Sequence, residues 1–124
     1  MTAFDADSLP IVAARAAATK TDRETIVLEV GEVLAITGWF VITSGGTARQ
    51  VRAIAEAVEE GVDEAGGPKP LRVEGLDGGS WVLIDYGDVV VHVMDDETRD
   101  FYDLERLWRD VPVVEWSDAG GSRP

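Results

Sequence analysis

A chain of 124 residues with 45% hydrophobic residues is long enough for one domain with its own core, and too apolar to be disordered throughout. Its 24 acidic and 11 basic residues give a formal net charge of −13, which argues against a broad electrostatic grip on nucleic acid and favours a basic partner. Without cysteine there is no disulfide framework, no thiolate nucleophile and no cysteine zinc site.

The N-terminal stretch carries Asp5 and Asp7 and no basic segment ahead of an apolar run, so it does not read as a signal peptide. No apolar stretch approaches the roughly 18 residues that span a bilayer. The expectation is a soluble cytoplasmic protein with no membrane contact. Ser8 is placed to cap a first helix, with Pro10 tolerated in its first turn. Leu9, Val12, Ala13, Ala16 and Ala17 then form a narrow stripe, suited to close approach to a sheet or to a second copy of the helix.

Thr25 to Val30 reads as a strand, with Ile26, Leu28 and Val30 on one face and Val27 on the other, so both faces are expected to be partly covered. A second strand runs from Trp39 to Thr43 and is broken by Ser44, Gly45 and Gly46. Thr47 and Gln50 fit a capping box. The helix they open places Val51, Ile54, Ala55, Val58 and Val62 on one face and ends at Gly66, Gly67 and Pro68.

Leu71 to Glu74 reads as a short strand. Trp81 to Asp85 and Asp88 to Met94 read as two more, joined by a tight link at Tyr86-Gly87. Asp96 to Trp108 reads as a helix with Phe101, Leu104, Leu107 and Trp108 inward, stopped by Pro112. The order predicts an α/β or α+β fold: a mixed five-stranded sheet flanked by helices, one domain over 1–116, and a loose tail over 117–124.

Three groups of residues carry candidate chemistry. The Thr43-Ser44-Gly45-Gly46-Thr47 turn joins a strand to a helix N-terminus, where free amides suit a phosphate. No Walker pattern follows, and a capped turn is the preferred reading. Asp85, Asp88, Asp95, Asp96 and His92 would suit a metal or acid–base site. The plainer reading makes Asp85 and Asp88 turn formers, Asp95 and Asp96 helix caps, and His92 a hydrogen-bonded sheet or contact residue beside Val90 and Met94. On the last helix, Arg99, Tyr102 and Arg106 recur at three- and four-residue steps off the inner stripe. Glu105 and Arg109 are spaced to pair. Tyrosine and arginine are frequent interface anchors.

Two long strings then stand out: Trp81-Val82-Leu83-Ile84-Asp85-Tyr86-Gly87-Asp88-Val89-Val90-Val91-His92, and Phe101-Tyr102-Asp103-Leu104-Glu105-Arg106-Leu107-Trp108. With Val73-Glu74-Gly75, Ile36-Thr37, Phe40-Val41-Ile42, Ser44-Gly45 and Arg49-Gln50-Val51, they resemble the Iojap, or ribosome-silencing factor, family over roughly residues 8–116. The resemblance implies a nucleotidyltransferase-like fold without that catalytic apparatus. In agreement, the turn after the second strand is Ser-Gly-Gly, not Gly-Ser followed by an Asp-x-Asp pair. It also implies binding to the large ribosomal subunit at ribosomal protein uL14, a block on subunit joining, lower translation when nutrients are scarce, and a homodimer. No cofactor, metal or catalysis is expected, and little direct nucleic-acid binding. The chain departs from the family at Gly38 and Trp39, where Asp-Cys is usual.

The expected contact residues are Trp81, His92, Arg99, Tyr102, Glu105 and Arg106, with Asp85, Gly87 and Asp88 shaping the hairpin and Trp108 in the core. The alternative is a metal-dependent nucleotidyl- or phosphotransferase using Asp85, Asp88 and the Ser44–Gly46 turn.

Overall fold

The computed structural model describes residues 4–117. Apart from Ser117, the expected tail lies outside the described residues. After a 3-10 turn, Ala6–Ser8, the chain runs α1 (Leu9–Ala18), β1 (Ile26–Glu29), β2 (Trp39–Gly45), α2 (Ala48–Glu64), β3 (Arg72–Glu74), β4 (Trp81–Asp85), β5 (Val89–Asp95), α3 (Asp96–Tyr102), α4 (Leu104–Leu107) and β6 (Val113–Val114).

The sheet has six strands in the order β3-β4-β5-β2-β1-β6, one more than expected. Only β2 and β5 run parallel; the other neighbours are antiparallel. The added strand is β6, which pairs Val113 with Leu28 and Val114 with Val27. Two residues are too few to show an alternating pattern, so only the pairing reveals it. Trp116 secures this end of the chain by donating its indole N–H to the Thr25 carbonyl at 2.6 Å.

β2 and β5 lie at the centre and are buried along almost their whole length, as strands covered on both faces must be. On one face α1 and α2 pack over Val27, Val41, Val82, Ile84, Val91 and Val93. The alanine stripe is used here within the chain: Ala13 and Ala17 are fully buried, as is Ala14 outside the stripe, and a Cβ on Gly61 of α2 would lie 2.6 Å from that of Ala16. On the other face, Leu28, Val30, Phe40, Ile42 and Met94 form a second cluster, closed by Leu34, Leu104, Trp108 and Val111.

Local signals for α2 match the structure. Val51, Ile54, Ala55, Val58 and Val62 are all buried, and Thr47 accepts the Gln50 N–H at 3.1 Å. The return bond of the capping box is displaced by one residue, the Gln50 side chain accepting from Gly46 N–H at 2.7 Å. At α1 the cap differs from expectation. Ser8 precedes the helix, but its hydroxyl donates to the Asp5 carbonyl at 2.7 Å and caps nothing. The β4–β5 link is also shifted by one residue: Tyr86 N–H bonds the Val89 carbonyl, leaving Gly87-Asp88 as the turn, with Gly87 at φ 93°.

Candidate partner-binding face

Alternation along β4 sends Val82 and Ile84 under the helices and leaves Trp81, Leu83 and Asp85 half-buried on the opposite face. Beside them β5 places His92 against Leu83 and Trp81 against Met94. The indole N–H of Trp81 donates to Nδ1 of His92 at 3.2 Å. Nδ1 is therefore the acceptor of a neutral imidazole, and the proton belongs on Nε2. Burial holds the ring neutral by lowering its pKa from 6.5 to about 4.

The aromatic contacts continue in both directions from this pair. Phe40 meets His92 edge-on at 4.7 Å, and Trp108 meets Phe40 edge-on at 5.7 Å. On the other side Tyr102 rests on Trp81 at 4.8 Å, and Phe101 meets Tyr102 at 4.9 Å. The result is an unbroken line of rings, Trp108-Phe40-His92-Trp81-Tyr102-Phe101, running from the second core cluster to the surface. Its outer end is open: Tyr102 is 53% exposed and Phe101 78%.

A break in the C-terminal helix makes that geometry. Asp95 caps α3 by accepting the Thr98 N–H at 2.8 Å, and Asp96 pairs with Arg23 at 2.7 Å, which lowers the Asp96 pKa. Asp103 then adopts a left-handed conformation, φ 48° and ψ 56°, and separates α3 from α4. The single stripe expected over Asp96–Trp108 is thereby split. Leu104 and Trp108 do pack on the second cluster, but Phe101 and Leu107 face solvent at 78% and 71% exposure. Their expected inward position is corrected by the turn at Asp103. Between α3 and α4 lies an open cleft of about 590 Å³ lined by Phe101, Tyr102 and Leu107, by Arg106 and Arg109, and by three aspartates.

Arg99 occupies a different place from the exposed row expected of it. Its side chain is 11% exposed. The guanidinium donates to Glu105 at 2.8 Å, to the Glu24 carbonyl at 2.6 Å and to the Ser44 hydroxyl at 2.9 Å. Glu105 thus joins Arg99 rather than the expected Arg109. One buried guanidinium ties α3, α4, the end of β2 and the segment before β1 together.

Several groups suited to phosphate or metal chemistry have partners within the fold. Asp85 accepts from Gly87 N–H at 2.8 Å and lies 3.3 Å from Arg72 Nε. The Asp88 carbonyl accepts from Gly38 N–H at 2.8 Å and Trp39 N–H at 3.0 Å, pinning the hairpin to the start of β2. In the Ser44–Thr47 turn, Gly46 N–H is taken by Gln50, and the Gln50 amide donates in turn to the Lys20 carbonyl at 3.0 Å. Among the described residues no group of three or more Asp, Glu or His side chains gathers as a metal site would require.

Residues 4–123 match the family model described as "Ribosomal silencing factor during starvation". The chain belongs to the ribosomal silencing factor family. It is 36% identical over 104 residues to the ribosomal silencing factor of Bacillus subtilis, covering 84% of this chain and 87% of that one. A mouse protein named for mitochondrial assembly of the ribosomal large subunit is 32% identical over 88 residues, which cover 69% of this chain but 39% of the mouse protein. A crystal structure of a Chromobacterium violaceum protein superposes with a TM-score of 0.78 at 32% identity, covering 97% of this chain and 90% of that one.

Among the expected contact residues, the fold sets Trp81 against both His92 and Tyr102. Arg99 and Glu105 form a brace behind them, and Arg106 stands exposed beside the cleft. The sequence reading missed Phe40 as the ring behind His92 and Ile36 as an exposed apolar residue at 85%. Period-2 alternation along β2 and β5 carries the signal for the first, since parallel pairing sets Phe40 opposite Val90, next to His92 on one face. Among the described residues no helix is long and apolar enough to cross a membrane.

Proposed function

We propose that this protein docks on the large ribosomal subunit at ribosomal protein uL14, on the face that meets the small subunit. It thereby blocks subunit joining and represses translation when nutrients are scarce. The open end of the aromatic line carries this reading. Trp81, Tyr102 and Phe101 form an apolar ledge with Leu107 and Arg106 beside it, and large exposed apolar groups gathered in one place mark an interaction surface. A chain of net charge −13 approaches a basic ribosomal protein favourably.

In this reading Trp81, Tyr102 and Arg106 meet the partner. His92 holds Trp81 from behind, while Arg99 and Glu105 fix the helix that presents Tyr102. The mechanism is steric occupation and uses no covalent chemistry. The protein works in the cytoplasm, and a homodimer is its resting form.

The test is sedimentation of the purified protein with separated subunits, followed by order-of-addition assays. Binding to the large subunit alone, and a smaller joined fraction when the protein is added before the subunits are mixed, are the expected results. Equal binding to both subunits, or no effect of the order of addition, would overturn the reading.

A further inference from the structure

The buried side-chain atoms without a hydrogen-bond partner among the described residues are the Thr37 hydroxyl, the Tyr86 hydroxyl and Nε2 of His92. Two of them, Thr37 and His92, line one small pocket of about 220 Å³ on the sheet face that carries the aromatic line. Its walls are partly apolar, with Leu34 and Ile36 from the β1–β2 loop and Leu83 and Val90 from β4 and β5, and partly charged, with Arg72 and Asp85. Trp81 does not line it. Trp81 sits on the Nδ1 side of the imidazole, and the Nε2 proton lies on the opposite edge, buried without a partner among the described residues.

We infer that this pocket is a socket for one side chain of the docked protein, an apolar stem ending in a neutral oxygen acceptor such as an amide or hydroxyl. The inference rests on the docking reading and adds to it the chemistry of one contact. Three observations select the occupant. The volume is below the range of about 300–1,000 Å³ usual for drug-sized ligands, and suits a single side chain. The fixed tautomer offers a donor to be accepted, and the Thr37 hydroxyl takes either role. Asp85 and Arg72 both line the pocket and pair with each other at 3.3 Å, so neither leaves a free charge for an ionic occupant. His92 lines the socket and accepts from Trp81 of the ledge, so the socket and the ledge adjoin.

Two substitutions test this on the full chain with purified large subunits as the probe. Thr37→Val replaces an unpaired buried hydroxyl by a methyl of the same shape, a change that is neutral or stabilising where the hydroxyl has no partner. The expected result is a melting temperature equal to or above the parent's, with subunit binding roughly three- to tenfold weaker. Ile36→Asp changes a residue 85% exposed, so the melt is expected to stay unchanged while binding falls by about tenfold or more. If the parent binds and both variants bind as well as it does, the socket is wrong and the docking reading survives. A clear drop in the Thr37→Val melt means the hydroxyl is paired in the free protein, which overturns the inference. A parent that does not bind large subunits overturns the docking reading, and the socket with it.

Discussion

The ring of Tyr102 lies on the indole of Trp81, with centroids 4.8 Å apart and planes tilted by 52°. One residue ends α3 and the other begins β4. The contact shields one face of the indole and leaves the phenol half in water. Truncating a tyrosine that anchors an interface costs on the order of 2 kcal/mol or more, about thirtyfold in affinity. Tyr102→Ala is therefore expected to weaken large-subunit binding by about that factor and to shift the tryptophan emission, with little change in the melt. Sedimentation and fluorescence on one preparation check it. Unchanged binding would remove Tyr102 from the contact face.

Leu104 and its neighbours separate packing from exposure. Leu104 is half-buried on the second cluster, so Leu104→Ala is expected to lower stability by about 1–3 kcal/mol, less than the roughly 2–5 kcal/mol of fully buried leucines. Phe101→Ala and Leu107→Ala remove exposed side chains and should change stability by roughly 0.5 kcal/mol or less. Urea unfolding of the three variants decides between the split helix and a continuous one. A continuous inner stripe would make all three comparably destabilising.

Arg99 holds three acceptors from separate segments. Arg99→Ala is expected to cost about 2–3 kcal/mol, less than a fully buried pair because the Glu105 side chain is 32% exposed. Arg99→Lys should recover only a minor part of this, since an ammonium cannot span the same three directions. Full rescue by lysine in thermal melts would show that charge alone matters there.

His92 makes stability depend on pH. Above pH 6.5 the ring is neutral whether folded or unfolded, and its packing is fully retained. As pH falls toward about 4, the unfolded chain takes up a proton that the buried ring refuses, so stability declines through that window. At 1.36 kcal/mol per pKa unit the loss is about 3 kcal/mol by the acid end. Stability of the parent and of His92→Phe, compared between pH 7 and pH 4, should diverge in slope, the phenylalanine variant being flatter. Parallel slopes would mean that His92 protonates freely in the folded chain.

Elements built from local signals were legible in the sequence. α2 carries its apolar spacing, its Thr47 cap and its glycine stop within one stretch of chain, and all of them hold in the fold. β1 showed apolar residues on both sides, and both of its faces are covered. The hairpin that presents Trp81 and His92 was placed to within one residue. Tyr102 is off the Phe101-Leu104-Leu107 stripe in the sequence and is half exposed in the fold, although Phe101 and Leu107 of that stripe are exposed as well.

What tertiary structure decided lies at the C-terminal end. No glycine marks the left-handed turn at Asp103, and the apolar spacing there fits an unbroken helix. The turn is settled by two distant demands: Tyr102 lies against Trp81 of β4, while Leu104 and Trp108 reach the cluster around Phe40. The stripe on a straight helix would have buried Phe101 and Leu107 with Leu104; the break turns both outward, beside the cleft. Arg99 looked like a surface residue for the same reason, because its acceptors, Glu24, Ser44 and Glu105, come from three separate segments that only the folded sheet brings together. Periodicity records which side of an element a residue is on; where the element stops, and what waits on that side, is set by contacts between segments far apart in the chain.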